Sequence, residues 1–202
     1  MEASAPTPPS TAAGYPVRVE AQRQERYHRF LPLVKWLLAL PHYFVLLILL
    51  IAVFFAKLAA FFAVLFTGRY PEGLFDFVTG VLRWGWRVTA YVSLLTDRYP
   101  PFSLDPEGDY PAQLEIDYPS AGVDRWRPLV HWLLILPYGF VAGILVSVAG
   151  LVAFIGAFVI LFTEELPEGM FSLILIPYRW QQRATAYGMF LVTRYPPFDW
   201  DD

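Results

Sequence analysis

The sequence contains no cysteine and no asparagine, and only two of its 202 residues are lysine. The absence of cysteine excludes a disulfide framework, a thiolate metal site and a cysteine nucleophile. Charged residues are also scarce, at 16% of the chain, and the formal net charge is -3. A protein that binds nucleic acid needs a basic surface to displace counterions from the phosphates. We therefore expect no nucleic-acid partner.

Catalytic and cofactor motifs are absent as well. The three histidines, His28, His42 and His131, do not form the His-x-x-x-His spacing of a metal site on one helix. The sequence has no nucleophile elbow, phosphate loop or dinucleotide fingerprint. His42 follows Pro41, where a hydrogen-bonded histidine is a simpler interpretation than a haem or quinone ligand. We expect no enzyme, no catalytic residue, no metal and no cofactor.

Apolar residues, in contrast, make up 56% of the chain, and the mean hydropathy is +0.43. Residues 30 to 66 are almost wholly apolar and are divided by Pro41. The part after this proline, His42–Phe66, has no Gly, Pro, Asn or Asp that could turn the chain back. As a helix it reaches about 37 Å, which is enough to span about 30 Å of hydrocarbon with some tilt. A second such helix is predicted over Tyr138–Phe162.

The sequence repeats itself. A shift of 96 residues aligns residues 30–102 with residues 126–198 without a gap, and the copies are identical at 32 of 73 positions. This match is well above chance for a chain of this composition and indicates internal duplication. Each copy is preceded by an alternating segment, Tyr15–Glu20 in the first and Tyr110–Asp117 in the second. Alternation predicts a short strand with one buried face, and we expect the two strands to pair.

These observations predict an all-α integral membrane protein built as a tandem repeat. Each repeat has one long transmembrane helix and one tilted or interfacial helix that bears Arg and Trp, with a short strand at its start. The predicted divisions are a disordered tail at 1–14, membrane repeat 1 at 15–102, a linker at 103–109, membrane repeat 2 at 110–198 and an acidic tail at 199–202.

The second helix of the first repeat is predicted over Leu74–Leu95. Asp76, Thr79, Arg83 and Arg87 follow one another at steps of three or four residues and so form a narrow polar stripe on one face. If this helix spans the membrane, its arginines lie near the bilayer centre and must face the protein interior. If it lies in the interface, they meet lipid headgroups.

Two features of the sequence favour opposite alternatives. Pro177 is expected to break its second helix, so that a helix of about 24 Å runs from there to about Val192, which is short for a crossing. The distribution of loop charges favours four crossings, because the acidic turns at 67–73 and 163–169 would then lie opposite the Arg-rich segments. Both arrangements place the two termini on the same side of the inner (plasma) membrane. The Arg-rich N-terminal flank predicts that this side is the cytoplasm.

Residues shared by both copies are candidates for a common role. The candidate lipid- or anion-binding residues are Arg83, Arg87, Arg179 and Arg183. The candidate interface anchors are Trp84, Trp180, Tyr91 and Tyr187. Asp76 is replaced by Ser172 in the second copy, and an intrahelical ion pair therefore cannot be the common role of the arginines. Headgroups, acidic loops and carbonyl oxygens remain as their possible partners.

Other candidates belong to one copy alone. Gly139 and Gly143 form a Gly-x-x-x-Gly spacing, which lets a helix approach a neighbouring helix or a partner closely in lipid. Lys57 lies inside the first long helix, where a lysine either snorkels, faces another helix or has a functional role. The second copy has Ala153 at that position, so the duplicated architecture does not require the lysine.

Longer units of the first copy identify a resemblance. They are Leu-Pro-His at 40–42, Leu-Phe-Thr-Gly-Arg-Tyr-Pro-Glu-Gly at 65–73 and Leu-Thr-Asp-Arg-Tyr-Pro-Pro-Phe at 95–102. The chain resembles a family of bacterial, mainly actinobacterial, membrane proteins whose repeated unit is a domain of unknown function, numbered 4389. The resemblance covers residues 15 to about 198. It implies a membrane fold and supplies no catalytic residues.

The expected function is structural or accessory. Apolar helix surface is abundant, so the protein is expected to pack against other membrane protein subunits of a larger complex or to organise membrane lipids. The alternative is an anion or lipid transporter or pore at the interface of the two repeats, where duplicated membrane proteins often place a substrate site.

Overall fold

The computed structural model describes residues 14–198. The predicted acidic tail at 199–202, and the predicted disordered tail apart from residue 14, lie outside the described residues. The elements are β1 (Val17–Ala21), α1 (Leu31–Leu38), α2 (Leu40–Thr67), α3 (Glu72–Val92), β2 (Ala112–Ile116), α4 (Arg127–Thr163) and α5 (Glu168–Gly188). The order of strand, long helix and second helix occurs twice.

α1 and α2 form one nearly continuous helix. They are separated only at Ala39, whose backbone stays in the right-handed helical region and whose N–H donates to the Lys35 carbonyl at 2.9 Å. Pro41 lies in the first turn of α2, where the missing N–H has no helical partner to lose. The prediction of a helix over His42–Phe66 is confirmed, with short extensions at both ends.

α4 corrects the prediction that the second long helix starts at Tyr138. The helix begins at Arg127 and continues through Pro137. A proline inside a helix deprives one carbonyl, here that of Leu133, of its hydrogen bond. His131 and Tyr138, on either side of the proline, are buried and stack on Tyr187 and Trp180 of α5, so packing holds the helix together across the missing hydrogen bond.

α5 corrects a second prediction based on proline. Pro177 was expected to begin a shortened helix, but α5 runs from Glu168 to Gly188 with Pro177 inside it. Leu175 and Trp180 on either side of the proline are buried, so packing holds both turns in place across the missing hydrogen bond. At about 32 Å, α5 is as long as α3.

The backbone repeats even where the two sequences differ. α2 ends at Gly68 with a φ of +71°, and α4 ends at Glu164 with a φ of +60°. Leu94 and Phe190 follow α3 and α5 with φ values of +66° and +64°. Residues with side chains rarely adopt this left-handed conformation. Its recurrence at Glu164 indicates that the fold, rather than a glycine, sets the turn.

β1 and β2 pair with each other, as predicted; the pairing is antiparallel and marks a pseudo-two-fold axis. Val19 lies opposite Leu114. These residues are also equivalent in sequence, since each lies four residues after the tyrosine of a Tyr-Pro unit, Tyr15 or Tyr110. A residue that pairs with its own equivalent across an antiparallel ladder places a two-fold axis between the two, normal to the sheet.

The two long helices run antiparallel. The Tyr27 N–H, just before α1, donates to the carbonyl of Glu164 at the end of α4, at 2.8 Å. At the equivalent place, the Val123 N–H before α4 donates to the carbonyl of Gly68 at the end of α2, also at 2.8 Å. The beginning of each long helix therefore lies beside the end of the other. The pseudo-two-fold axis is perpendicular to both.

The sheet covers the two shorter helices. Its inner residues, among them Val19 and Leu114, are buried, while its outer face carries an exposed ion pair of Arg18 with Glu115 and Asp117, at 3.0 and 2.9 Å. α3 packs against β2 and α5 packs against β1. Each strand thus lies on the helix of the other repeat.

The long helices, by contrast, expose most of their apolar surface. Only 11% and 17% of their most apolar stretches are buried, whereas the core helix of a soluble protein would be mostly buried. Among residues 14–198, these two helices alone are long and apolar enough to cross a membrane. The structure therefore offers two candidate crossings and does not support the four crossings that the loop charges favour.

Candidate functional site

The predicted polar stripe lies on the face of α3 that meets β2 and the preceding loop. Arg83 reaches two backbone carbonyls there: Nε donates to Leu114 at 3.3 Å and Nη1 donates to Leu104 at 3.1 Å. These bonds fix the guanidinium between helix, strand and loop. Burial lowers the pKa of Arg83, while the nearby carboxylates of Glu115, Asp105 and Asp76 raise it.

Arg179, the equivalent of Arg83, makes the equivalent bond. Its Nε donates to the Val19 carbonyl at 2.9 Å. Because Val19 and Leu114 are opposite each other in the sheet, the two arginines hold the central strand pair from both sides. Of the partners left open by the sequence, backbone carbonyls are the ones that both arginines contact.

The second pair of predicted arginines is buried more deeply. Arg87 is 1% exposed and donates through Nη2 to the Ser103 carbonyl, with Glu107 4.0 Å from Nη1. Burial lowers the pKa of Arg87, and the negative charge of Glu107 opposes part of this shift. Arg183 is 4% exposed, and its guanidinium lies 5.5 Å from the ring centre of Tyr15. Arg87 and Arg183 therefore lie inside the protein and present little surface to a lipid headgroup.

Arg83 differs, because it lines a cavity. The cavity has a volume of about 640 Å³ and lies between α3 and the chain segments that cover it. Its lining residues are Phe75, Asp76, Phe77, Thr79, Arg83, Leu104, Asp105, Pro106, Ile116 and Tyr118. Three of the four residues of the predicted polar stripe thus meet in one space, and a volume of this size suits a small ligand.

One polar group of the cavity lacks a partner. Thr79 is 3% exposed, and its hydroxyl forms no hydrogen bond within the described residues. Such a group costs about 1–3 kcal/mol when it is left unpaired. The cavity also carries two carboxylates, Asp76 and Asp105, against one guanidinium, Arg83. Its charge is therefore mixed, with a net negative balance.

The predicted interface anchors lie in the protein core. Trp84, Trp180, Tyr91 and Tyr187 are each at most 7% exposed, and an anchor must reach the lipid surface. Among residues 14–198, the exposed tryptophans are instead Trp36, Trp126 and Trp132, at 60%, 75% and 60%. This correction has a simple cause: the repeated aromatic positions conserve internal packing between the helix and the chain that follows it.

That packing forms one aromatic cluster in each repeat. In the first, His42 stacks on Phe102 at 3.9 Å between ring centres, and its Nδ1 accepts a hydrogen bond from Trp84 Nε1 at 3.1 Å. The equivalent cluster in the second repeat consists of Tyr138, Trp180, Tyr195 and Phe198. His42 is thus a hydrogen-bonded residue in a position that the second repeat fills with tyrosine.

The remaining sequence candidates lie away from the cavity. Gly139 and Gly143 have open space around their Cα atoms. A Cβ at either position would meet no atom within 4 Å, and their predicted role towards a partner stays a prediction. Lys57 extends towards the second repeat, where its Nζ lies 5.4 Å from the ring centre of Phe190. Lys57 therefore faces a neighbouring segment, one of the alternatives that the sequence left open.

Lys35, which the sequence did not single out, belongs to a polar cluster near the start of the first long helix. Its side chain is 1% exposed, donates to the Thr96 carbonyl at 2.7 Å and lies 2.8 Å from a carboxylate oxygen of Asp97. The second repeat has His131 and Thr193 in the equivalent positions. This ion pair is therefore specific to the first repeat and links α1 to the chain after α3.

The loop that closes the cavity also escaped the sequence analysis. Leu104, Asp105 and Pro106 lie in the predicted linker, and Tyr118 follows β2. A glycine inside a helix often marks a place where another chain segment packs closely against the helix. Gly80 could therefore have indicated this contact. A Cβ at Gly80 would lie 3.0 Å from Leu104 Cβ and its carbonyl oxygen. The glycine thus lets the loop approach α3.

Comparison with known sequences assigns the repeated unit. A family model described as "Domain of unknown function (DUF4389)" matches the chain twice, at residues 32–103 and 125–199. The two matched segments contain the long helix and the second helix of each half. No curated protein and no solved structure matches the chain.

Proposed function

The chain belongs to the family of the domain of unknown function DUF4389, which it carries twice, and we propose that it is a structural or accessory membrane protein embedded in one leaflet. One observation supports this proposal above all. Most of the exposed large apolar side chains lie on the two long helices, and the sheet, at the opposite side of α3 and α5, carries an exposed cluster of charges. Such a molecule fits the boundary between lipid and water.

The lengths of the apolar helices favour a position parallel to the membrane. The segment Leu31–Thr67 and α4 each contain 37 residues and are about 55 Å long. The hydrocarbon core is about 30 Å thick and needs about 20 helical residues. A perpendicular or moderately tilted helix would extend well beyond it. A helix in the plane of the membrane has no such mismatch.

The position of the sheet supports the same orientation. Arg83 contacts the sheet, and the next residue, Trp84, contacts His42. His42 is about 10 Å from the middle of the first long helix, and its equivalent Tyr138 is about 10 Å from the middle of α4, on the opposite side of the axis. The sheet therefore lies at mid-length of both long helices.

Perpendicular crossings would consequently place the sheet at the depth of the bilayer centre. The exposed groups of Arg18, Glu115 and Asp117 would enter hydrocarbon, and charges at the centre cost about 2.5–3.5 kcal/mol each on insertion scales. With the long helices in the plane, the pseudo-two-fold axis is normal to the membrane. The sheet then faces water, and α3 and α5 lie at headgroup level.

This arrangement differs from the multi-pass topology that the sequence favours, but it retains one part of it. Both termini remain on a single side, because the described chain lies entirely on one face of the membrane; we place that face in the cytoplasm, as the Arg-rich N-terminal flank indicates. The charged sheet remains available to a subunit of a larger complex, and the exposed helices order the surrounding lipid.

Sidedness of single labels tests the proposal. The cysteine-free chain allows Asp109→Cys and Glu168→Cys to be made separately, and both positions are exposed. An embedded orientation makes both cysteines react from the same side in sealed vesicles. Two or four crossings put them on opposite sides, with Asp109 outside for two crossings and inside for four. Labelling on opposite sides would therefore refute the single-leaflet arrangement.

The accessory role needs a separate test. Purification from native membranes in mild detergent is expected to recover the chain together with other subunits or with tightly held lipid. Recovery as a monomer without either would contradict this role. The alternative of an anion or lipid transporter is less favoured, because bonds to backbone carbonyls give Arg83 and Arg179 a structural role at the repeat interface. Flux through reconstituted vesicles that is lost in Arg83→Gln with Arg179→Gln would favour the transporter.

A further inference from the structure

We propose that the cavity beside α3 binds a phosphoethanolamine group, either free or as the headgroup of a lipid. The proposal concerns the first repeat alone and names a ligand by its chemistry: an anionic phosphate and a primary ammonium joined by a short linker. It rests on the proposed function only for the lipid as the source. The free compound can bind whether or not the long helices lie in a membrane.

The phosphate would be held by Arg83. Two carbonyl bonds, from Nε and Nη1, fix the guanidinium at the cavity wall. Nη2 keeps its donors, and a fixed guanidinium binds an anion with little loss of conformational entropy. Because an arginine remains protonated at neutral pH, it supplies the positive charge that a phosphate requires.

The ammonium would be held by the acidic part of the same cavity. Asp76 lies on the helix face of Arg83, two turns before it, and Asp105 lies in the covering loop. Their carboxylates accept hydrogen bonds, which a primary ammonium can donate and a quaternary one cannot. Two carboxylates and one guanidinium leave a net negative balance that repels a simple anion. A ligand with charges of both signs complements this set.

Thr79 gives a second, independent observation in favour of a ligand site. Thr79 is one of the residues that line the cavity, and its buried hydroxyl has no hydrogen-bond partner within the described residues. Thr79 lies between Asp76 and Arg83 on the same helix face, where a phosphoester oxygen bound to the guanidinium comes within reach. Binding would convert an unpaired buried hydroxyl into a paired one.

The second repeat lacks this set of groups. Asp76 corresponds to Ser172, and Thr79 corresponds to Leu175. Arg179 keeps the structural half of the role of Arg83, the bond to the sheet. The structural arginine is thus shared by both repeats, whereas the carboxylate and the hydroxyl beside it occur in one. This difference is expected when one copy of a duplicated scaffold acquires a ligand site.

Calorimetric titration of the full chain in uncharged detergent micelles tests the proposal. Phosphoethanolamine is the probe, and phosphocholine, ethanolamine and inorganic phosphate are the comparators. We expect phosphoethanolamine to bind at least about tenfold more tightly than each of these, because every comparator lacks one of the charged hydrogen bonds. Equal binding of inorganic phosphate or phosphocholine, or no heat with any probe, would overturn the proposal.

Variants on α3 separate binding from folding. Asp76→Asn is expected to weaken phosphoethanolamine binding about tenfold, whereas Glu72→Gln removes the same charge from an exposed position outside the cavity and serves as the control. Thr79→Val is expected to weaken binding while leaving Tm unchanged or higher, because it removes the unpaired hydroxyl. Normal binding by both cavity variants would refute the site.

Lipid competition then identifies the source of the group. Displacement of bound phosphoethanolamine by short-chain phosphatidylethanolamine, but not by phosphatidylcholine, would support a membrane lipid as the ligand. Displacement by neither would assign the cavity to the free phosphoester. The labelling test of membrane sidedness does not depend on these titrations. Failure of the proposed function can therefore be distinguished from failure of the proposed site.

Discussion

Gly80 allows the loop at Leu104 to approach α3. A methyl group at this position would meet the Leu104 Cβ and carbonyl oxygen at 3.0 Å, and a backbone oxygen cannot move without displacing the loop. We expect Gly80→Ala to lower the free energy of unfolding by about 1–3 kcal/mol, the usual cost of overpacking. Chemical denaturation in detergent micelles, followed by tryptophan fluorescence, measures the loss.

Gly85 supplies the matched control on the same helix. A Cβ at Gly85 would meet no atom within 4 Å. Gly85→Ala is therefore expected to stabilise the protein by about 0.5–1 kcal/mol through helix propensity. Equal effects of the two substitutions would contradict the close approach of the loop to α3.

Tyr27 predicts an alkaline limit to stability. Burial, together with the charge of Asp97, raises the pKa of Tyr27 from 10.0 to about 12. A folded-state pKa above the unfolded one means that the folded protein keeps the proton longer, so the stabilisation is complete below pH 10 and is lost as the pH rises towards 12. Tyr27→Phe should lose less stability over this interval, as measured by Tm against pH. Identical profiles would contradict the buried phenol.

At the scale of one element, three of the exposed phenylalanines of α2 can report the depth of this helix in the membrane. Phe44, Phe55 and Phe66 are 68%, 61% and 71% exposed and follow one another at eleven-residue intervals on nearly the same face. Spin labels attached to single cysteines at these positions should show equal oxygen accessibility if α2 lies in the membrane plane. A crossing helix would change the depth by about 16 Å at each step, and a graded profile would exclude the embedded orientation.

The secondary-structure elements differ in how well the sequence predicted them. The long apolar run predicted α2 closely, and alternation predicted both strands, because each pattern reports a buried or lipid-facing surface directly. The prolines misled the prediction of α4 and α5. Their effect on a helix is local, one lost hydrogen bond at Pro137 or Pro177, whereas the packing that preserves the helix comes from distant segments.

The candidate site was predictable only on its helical side. Helix periodicity alone places Asp76, Thr79 and Arg83 on one face. The loop at Asp105 had no pattern that could place it over that face. The roles of the arginines were also hidden, because a bond from Arg83 to a backbone carbonyl leaves no mark on the sequence of the acceptor.

At the scale of the whole molecule, the start and the end of the described chain contact each other. The contact is the same as the one between the equivalent segments at the junction of the two repeats. The Tyr15 hydroxyl donates to the Arg194 carbonyl at 3.2 Å, and the equivalent Tyr110 hydroxyl donates to the Arg98 carbonyl at 2.9 Å. The second contact lies within a continuous chain. The first therefore marks a place where a connection can be added without changing the packing.

A circular permutant tests this closure. We expect a chain that starts at Tyr110 and joins residue 198 to residue 15 through a flexible linker to keep its helix content and its association with vesicles. A permutant opened inside α3, between Gly80 and Val81, should lose both. Circular dichroism and vesicle flotation measure the outcome. Failure of the first permutant would contradict the closed arrangement of the repeats.

The placement of each strand on the helix of the other repeat has an evolutionary consequence. A chain with one repeat could cover its strand only with the second helix of another copy, in a symmetric homodimer whose subunits exchange strands. In such a dimer every substitution appears twice. Two repeats within one chain are free of this constraint: Asp76 and Lys35 occur beside one copy of the scaffold alone, while Arg83 and Arg179 keep the symmetry.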